Sequence, residues 1–144
     1  MTEPVKRITP MSRCEDCPLY GGKAVFGRGN PTEDKTVDTV IVGEGPGRTE
    51  IRKGKVFIGP SGKILTKLLE RNDLGHLWIT NTALCYGRSS SDKEKAAVCC
   101  RERLLHEIRT LRPKLVLTLG NIPTDVFLGS GEGITKRRGI VREA

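Results

Sequence analysis

Nowhere in these 144 residues does an apolar stretch approach 18 residues, so no bilayer-spanning helix is expected and a membrane is not an anticipated partner. Histidine is scarce. His76 falls in a short turn and His106 on a helix, places that suit surface or packing roles better than metal ligation. Acidic residues are in deficit, 17 against 25 basic ones, for a formal charge of +8. Such an excess favours polyanions, of which nucleic acid is the commonest. No internal repeat or low-complexity segment is apparent, and no secretory signal. The five cysteines are therefore expected as thiols in a reducing cytoplasm, beside the nucleoid or, for a viral protein, in the host cell, and not as a disulfide framework. A chain of this length with 36% hydrophobic residues suits one domain, 1–144, around a single core.

The cysteines that are present carry the most information. Cys14 and Cys17 form a Cys-x2-Cys pair, and after 67 intervening residues Cys85 and Cys100 form Cys-x14-Cys. Two thiolates from one turn can hold one metal centre, and the second pair must be brought to it by the fold. An iron–sulfur cluster, a four-cysteine zinc site and unligated thiols all stay open on spacing alone. The wide second interval is unusual for a zinc knuckle. Cys99 beside Cys100 is a spare thiol and an alternative fourth ligand.

Along the chain, strands alternate with helices. Residues 38–43 are a β-branched run ending at glycine, which suits a buried parallel strand. A Gly- and Pro-rich loop follows from Glu44 to Gly62. Ser61 is expected to cap a helix with apolar positions Ile64, Leu65, Leu68 and Leu69, ending near Asn72 to Gly75. Leu77 to Thr80 read as a second strand leading to Asn81. From about Asp92, the positions Ala96, Ala97, Cys100, Leu104, Leu105 and Ile108 make a long amphipathic helix closed by Pro113. Lys114 to Leu119 read as a third strand and Pro123 to Leu128 as a short helix. This rhythm predicts an α/β fold with a parallel sheet and right-handed crossovers. Ligands in such folds sit at the carboxyl ends of the strands, which puts Gly43–Gly47, Asn81 and Gly120–Asn121 on one rim.

Those rim residues carry a resemblance. The block Gly43-Glu44-Gly45-Pro46-Gly47 is followed by Glu50, by Gly54 to Gly62 with Phe57 inside, and by Ile79-Thr80-Asn81 and Cys85. With Cys14-Glu-Asp-Cys17-Pro-Leu, Val25 to Asn30, Cys100 with Leu104 and Ile108, Pro113, Leu119-Gly120 and Arg138-Gly139, it resembles the family 4, iron–sulfur class of uracil-DNA glycosylases over nearly the whole chain. The resemblance implies a three-layer αβα domain with a short, mainly parallel central sheet, acting on uracil-containing DNA in base-excision repair. It also implies a [4Fe-4S] cluster on Cys14, Cys17, Cys85 and Cys100; the offsets to Leu104 and Ile108 favour Cys100 over Cys99.

Site roles follow from the same match. Phe57 corresponds to the aromatic that stacks on an extruded base. Asn81 corresponds to the uracil reader, whose carboxamide offers an acceptor to N3–H and a donor to O4, whereas cytosine reverses both groups. Glu44 matches a glutamate near the sugar that could orient water or stabilise an oxocarbenium ion. Glu50 matches one that walls the pocket near uracil C5. Gly43, Gly45 and Gly47 with Pro46 would turn backbone amides toward the departing base. Ser61, Lys63, Arg88, Arg137 and Arg138, with Lys53, Lys55 and Lys136, are candidate contacts to the DNA backbone.

The chain departs from the family in one respect. Family members continue beyond the Arg-Gly pair with a last strand and a His-Pro-Ser-like loop, whereas this sequence stops at Ala144 and neither His76 nor His106 takes the matching place. Loss of such a donor costs about 10²–10³ in rate. A missing last strand leaves a sheet edge open. Three readings follow: a glycosylase of reduced activity; an inactive glycosylase-like DNA-binding or replication accessory module whose open edge docks a partner such as a DNA polymerase; or half of a split glycosylase.

Overall fold

A computed structural model describes residues 7–143. Four strands form one sheet in the order β1-β3-β2-β4: β1 (Arg28–Gly29), β2 (Thr39–Gly43), β3 (Leu77–Asn81) and β4 (Leu115–Thr118). β2 runs parallel to both β3 and β4, and only β1 is antiparallel to its neighbour. The α/β class and the mainly parallel sheet agree with expectation. β1 is an addition: two residues long and half glycine, it takes its strand geometry from pairing with Trp78 and Ile79.

β2 is buried along its whole length. Its alternate residues Val40 and Val42 point with Trp78 and Val116 toward a core shared with Leu104, Ile108, Leu111, Val126 and Phe127. That face is covered by α3 (Ser90–Leu111) and α4 (Asn121–Leu128). On the opposite face Gly43 looks at the ring of Phe57, whose backbone rests on Gly62. Gly62 belongs to α2 (Pro60–Arg71), so helices flank the sheet on both sides in three layers.

The helix ends have local causes. α2 begins at Pro60 with Gly59 as its N-cap, which corrects the expected Ser61 cap: proline has its φ fixed for the first helical position, so Ser61 falls inside the first turn. α3 starts two residues before Asp92 because Ser89 Oγ accepts a hydrogen bond from Asp92 N at 3.1 Å. It ends at Leu111, capped by Arg112 in the left-handed region (φ 48). The Glu44–Gly62 loop is not wholly irregular, since it contains α1 (Arg48–Lys53). Glu50 reaches back to the Gly47 N–H at 3.2 Å, half of a capping box that starts this short helix. A last turn, α5 (Ile134–Arg137), follows Gly133.

Candidate functional site

The parallel strands deliver β2 and β3 to one rim, where Gly43 and Asn81 are register partners. Beyond the strands the two loops are laced together: Thr82 N donates to Gly43 O at 2.8 Å, Thr82 Oγ1 to the same oxygen at 3.0 Å, and Ala83 N to Glu44 O at 3.1 Å. A cavity of about 350 Å³ opens above this seam, lined by Gly43, Glu44, Gly45, Gly47, Glu50, Phe57, Ser61, Gly62, Asn81 and Leu119. All six residues proposed for catalysis and uracil binding, Gly43, Glu44, Gly45, Glu50, Phe57 and Asn81, therefore meet in one place.

Its shape depends on missing side chains. A Cβ on Gly43 would lie 2.6 Å from Asn81 Oδ1 and closer still to the Phe57 ring. A Cβ on Gly62 would overlap the Phe57 backbone. Phe57 itself has φ 52, a left-handed conformation that a bulky residue adopts only under constraint. Arg28 helps impose it, donating from its guanidinium to the neighbouring Val56 carbonyl at 3.1 and 3.3 Å. The result turns the ring over Gly43, toward Asn81.

Two buried acceptors face this space. Asn81 is 2% exposed, and its Oδ1 has no hydrogen-bond partner among the described residues. Glu50 Oε2 is likewise buried and unpartnered. Buried polar atoms are nearly always paired, so these two await a donor. Glu44 lies across the rim over Gly120, whose φ of 105 and absent Cβ let the carboxylate approach. Neither histidine comes near: His76 precedes β3, at the far end of that strand from Asn81, with its Nδ1 2.7 Å from Asn30 O, and His106 is exposed on α3.

A second cavity, about 330 Å³, is lined by Cys14, Cys17, Cys85, Cys99 and Cys100. Cys14 opens a single 3₁₀ turn, Cys14–Asp16, that brings Cys17 beside it. Arg13 N binds Cys99 O at 3.0 Å, fastening this turn to α3, and an isolated bridge joins Ala24 to Cys85. Backbone amides aim at two of the sulfurs: Ile8 N lies 3.4 Å from Cys14 Sγ and Leu19 N 3.4 Å from Cys17 Sγ. Burial pushes the Cys17 and Cys85 thiols up to about 11, reinforced by the neighbouring thiols. Cys100 acts on both of them, and Cys99 on Cys17. Among the described residues no three cysteine, histidine or carboxylate groups converge closely enough for a single ion.

The raised thiols give a pH prediction for the metal-free protein. From an ordinary value of 9.0 the folded state holds these protons up to about 11, so it binds more protons than the unfolded chain in that window. This stabilisation is complete below pH 9 and is lost as pH rises through 11. Thermal melts by circular dichroism should show Tm falling across that range, and a Cys17→Ala/Cys85→Ala variant should show a flatter profile.

The cations expected on the DNA side divide. Lys63, Arg88 and Arg138 are exposed, and Ser61 sits exposed on the first turn of α2 at the cavity edge. Arg137 is different: its guanidinium pairs with Asp125 and donates to Gly129 O at 3.0 Å, so its charge is already committed within the fold.

The domain thus sets an aromatic, Phe57, and a carboxamide, Asn81, in one cavity at the carboxyl ends of its parallel strands. The family model described as the uracil DNA glycosylase superfamily matches residues 30–142. The chain is 34% identical over 139 residues to the type-4 uracil-DNA glycosylase of Thermotoga maritima, covering 90% of this chain and 68% of that protein. Against the type-4 enzyme of Sulfurisphaera tokodaii it is 32% identical over 136 residues, 88% of this chain and 60% of the other. Against that of Saccharolobus solfataricus it is 33% identical over 121 residues, 78% and 53%. The chain thus spans between about half and two thirds of the length of these relatives. It belongs to the uracil-DNA glycosylase superfamily, in its type-4 branch.

Proposed function

We propose that this protein excises uracil from DNA by hydrolysis of the N-glycosidic bond, as the first step of base-excision repair. The observation that carries the reading is Asn81 Oδ1, buried and without a partner among the described residues, in the cavity that Phe57 shares. A uracil swung out of the stack would lie against the Phe57 ring, give its N3–H to Oδ1 and accept at O4 from the same carboxamide. Cytosine, with acceptor and donor exchanged, would leave both groups facing their like, a mismatch that sites of this type reject strongly.

Cleavage of the bond between N1 and C1′ sends the electron pair to the base and leaves positive charge on the sugar. Backbone N–H groups of the Gly43–Gly47 turn would stabilise the uracil anion, and Glu44, at the rim, would stabilise the oxocarbenium ion and orient the water that adds to C1′, whose released proton is balanced by the one the uracil anion takes up from solvent. Glu50 would stand beside C5 and hinder the methyl group of thymine. Exposed Lys63, Arg88 and Arg138, with Ser61 at the start of α2, would hold phosphates.

The cysteine cavity, lined by Cys14, Cys17, Cys85 and Cys100, supports a [4Fe-4S] cluster, and the wide interval between Cys85 and Cys100 is unusual for a zinc knuckle. Cys14, Cys17, Cys85 and Cys100 would hold it, with the Ile8 and Leu19 amides directed at sulfur. When bound, the cluster would serve as a structural staple between the chain's N-terminal turn, the segment after β3 and α3.

The test is a labelled oligonucleotide carrying one uracil. Incubation followed by alkali is expected to give strand breakage, absent with Asn81→Ala and absent from a thymine-containing strand. No breakage with the unaltered protein would defeat the proposal. Protein purified without air should contain iron and acid-labile sulfide in near-equal amounts, whereas a colourless preparation holding one zinc would contradict the cluster.

A further inference from the structure

Behind the base pocket lies a buried cation that lines neither of the two cavities. Arg103 sits on α3 one turn past Cys99 and Cys100, yet it is only 5% exposed. Its side chain crosses to the end of β3. Nη2 donates to Asn81 O at 2.7 Å and to Thr82 O at 2.7 Å, while Nη1 donates to Glu107 Oε2 at 2.6 Å and to Thr80 Oγ1 at 3.4 Å. Glu107 is held in turn by the indole N–H of Trp78. Gly27 closes the far side, where a Cβ would come within 2.9 Å of Glu107 Oε1. A buried guanidinium is costly unless its donors are met, and here four of its five N–H groups are.

The two carbonyls matter because of what flanks them. Asn81 and Thr82 are where β3 leaves the sheet, and their other contacts, Thr82 N and Oγ1 to Gly43 O, form the seam under the pocket. Holding both carbonyls on Nη2 while Nη1 is anchored to Glu107 fixes the peptide that carries the Asn81 side chain. We infer that Arg103, aligned by Glu107, is a positioning residue that sets the Asn81 carboxamide against the base. It never touches substrate. The inference rests on the reading of Asn81 as the base reader, and its structural half can be judged apart from activity.

The experiment compares Arg103→Lys and Arg103→Met with the unaltered protein by two readouts. Lysine keeps a buried charge but has one nitrogen, so it cannot hold Glu107 and both carbonyls at once as Nη1 and Nη2 do. Both variants are expected to lower kcat for uracil excision about 10²-fold, the cost of a misplaced group, with KM for the oligonucleotide little changed because the exposed cations remain. In hydrogen exchange the amides of Thr82 and Ala83 are expected to quicken in both variants while those of β2 and β4 keep their protection. Wild-type kcat and unchanged Thr82 and Ala83 exchange in Arg103→Lys would overturn the inference, as would uniform quickening across the sheet. An unaltered protein that cleaves no uracil would defeat the reading of activity, and the exchange pattern would still decide whether Arg103 fixes this segment.

Discussion

One added methyl group, in Gly43→Ala, is expected to reduce uracil excision by at least about 10²-fold while leaving a folded protein. The new Cβ would fall within 2.6 Å of Asn81 Oδ1 and against the Phe57 ring, the space that the proposed function assigns to the base. Relief comes from the far end of the Phe57 side chain and not from the sheet, so the overpacking penalty should stay near the usual 1–3 kcal/mol. A modest fall in Tm with excision nearly gone is the expected signature. Near-normal excision would mean that the base binds elsewhere. Gly62→Ala should act through the same ring, since its Cβ would displace the Phe57 backbone.

Asn81→Leu is expected to do the opposite to stability. The leucine fills a similar volume and removes the buried acceptor that has no partner among the described residues, so Tm should hold or rise. Excision should fall about 10³-fold, because the variant offers neither acceptor to N3–H nor donor to O4 while the uracil edge is still stripped of water. Calorimetry and the alkali-cleavage assay, run on the same preparation, would check both halves. A variant both less stable and fully active would contradict the role given to Asn81.

Much of the frame was legible in the sequence because the central strands are buried and short. The β-branched run ending at Gly43, the Leu77–Asn81 strand and the long α3 each carry their own periodicity, and the structure keeps all three near the expected limits. The pieces that escaped are those whose geometry is made by partners. β1 exists through Trp78 and Ile79, α1 is a six-residue turn started by Glu50, and α5 is a single turn after Gly133. None has an apolar period.

The pocket was legible as a set of residues only through its motifs. A lone Gly-x-Gly says little, and it was the whole block from Gly43 to Asn81 that pointed to a base. What no motif conveyed was the support: Arg28 on the Val56 carbonyl, Gly120 beneath Glu44, and Arg103 behind Asn81. Arg103 did leave a trace. It lies with Glu107, four residues on, inside the stripe of α3 that also holds Cys100 and Leu104, a charged pair where the helix should be apolar. Arg137 erred the other way, reading as a free surface cation when Asp125 lies ready to take it.

Free uracil titrated into protein labelled with ¹⁵N at asparagine tests the base pocket without any need for turnover. The side-chain amide resonance of Asn81 should shift and saturate with uracil, stay in place with cytosine, and lose its response in Gly43→Ala. An Asn81 resonance that ignores uracil, or that moves equally for cytosine, would contradict the account.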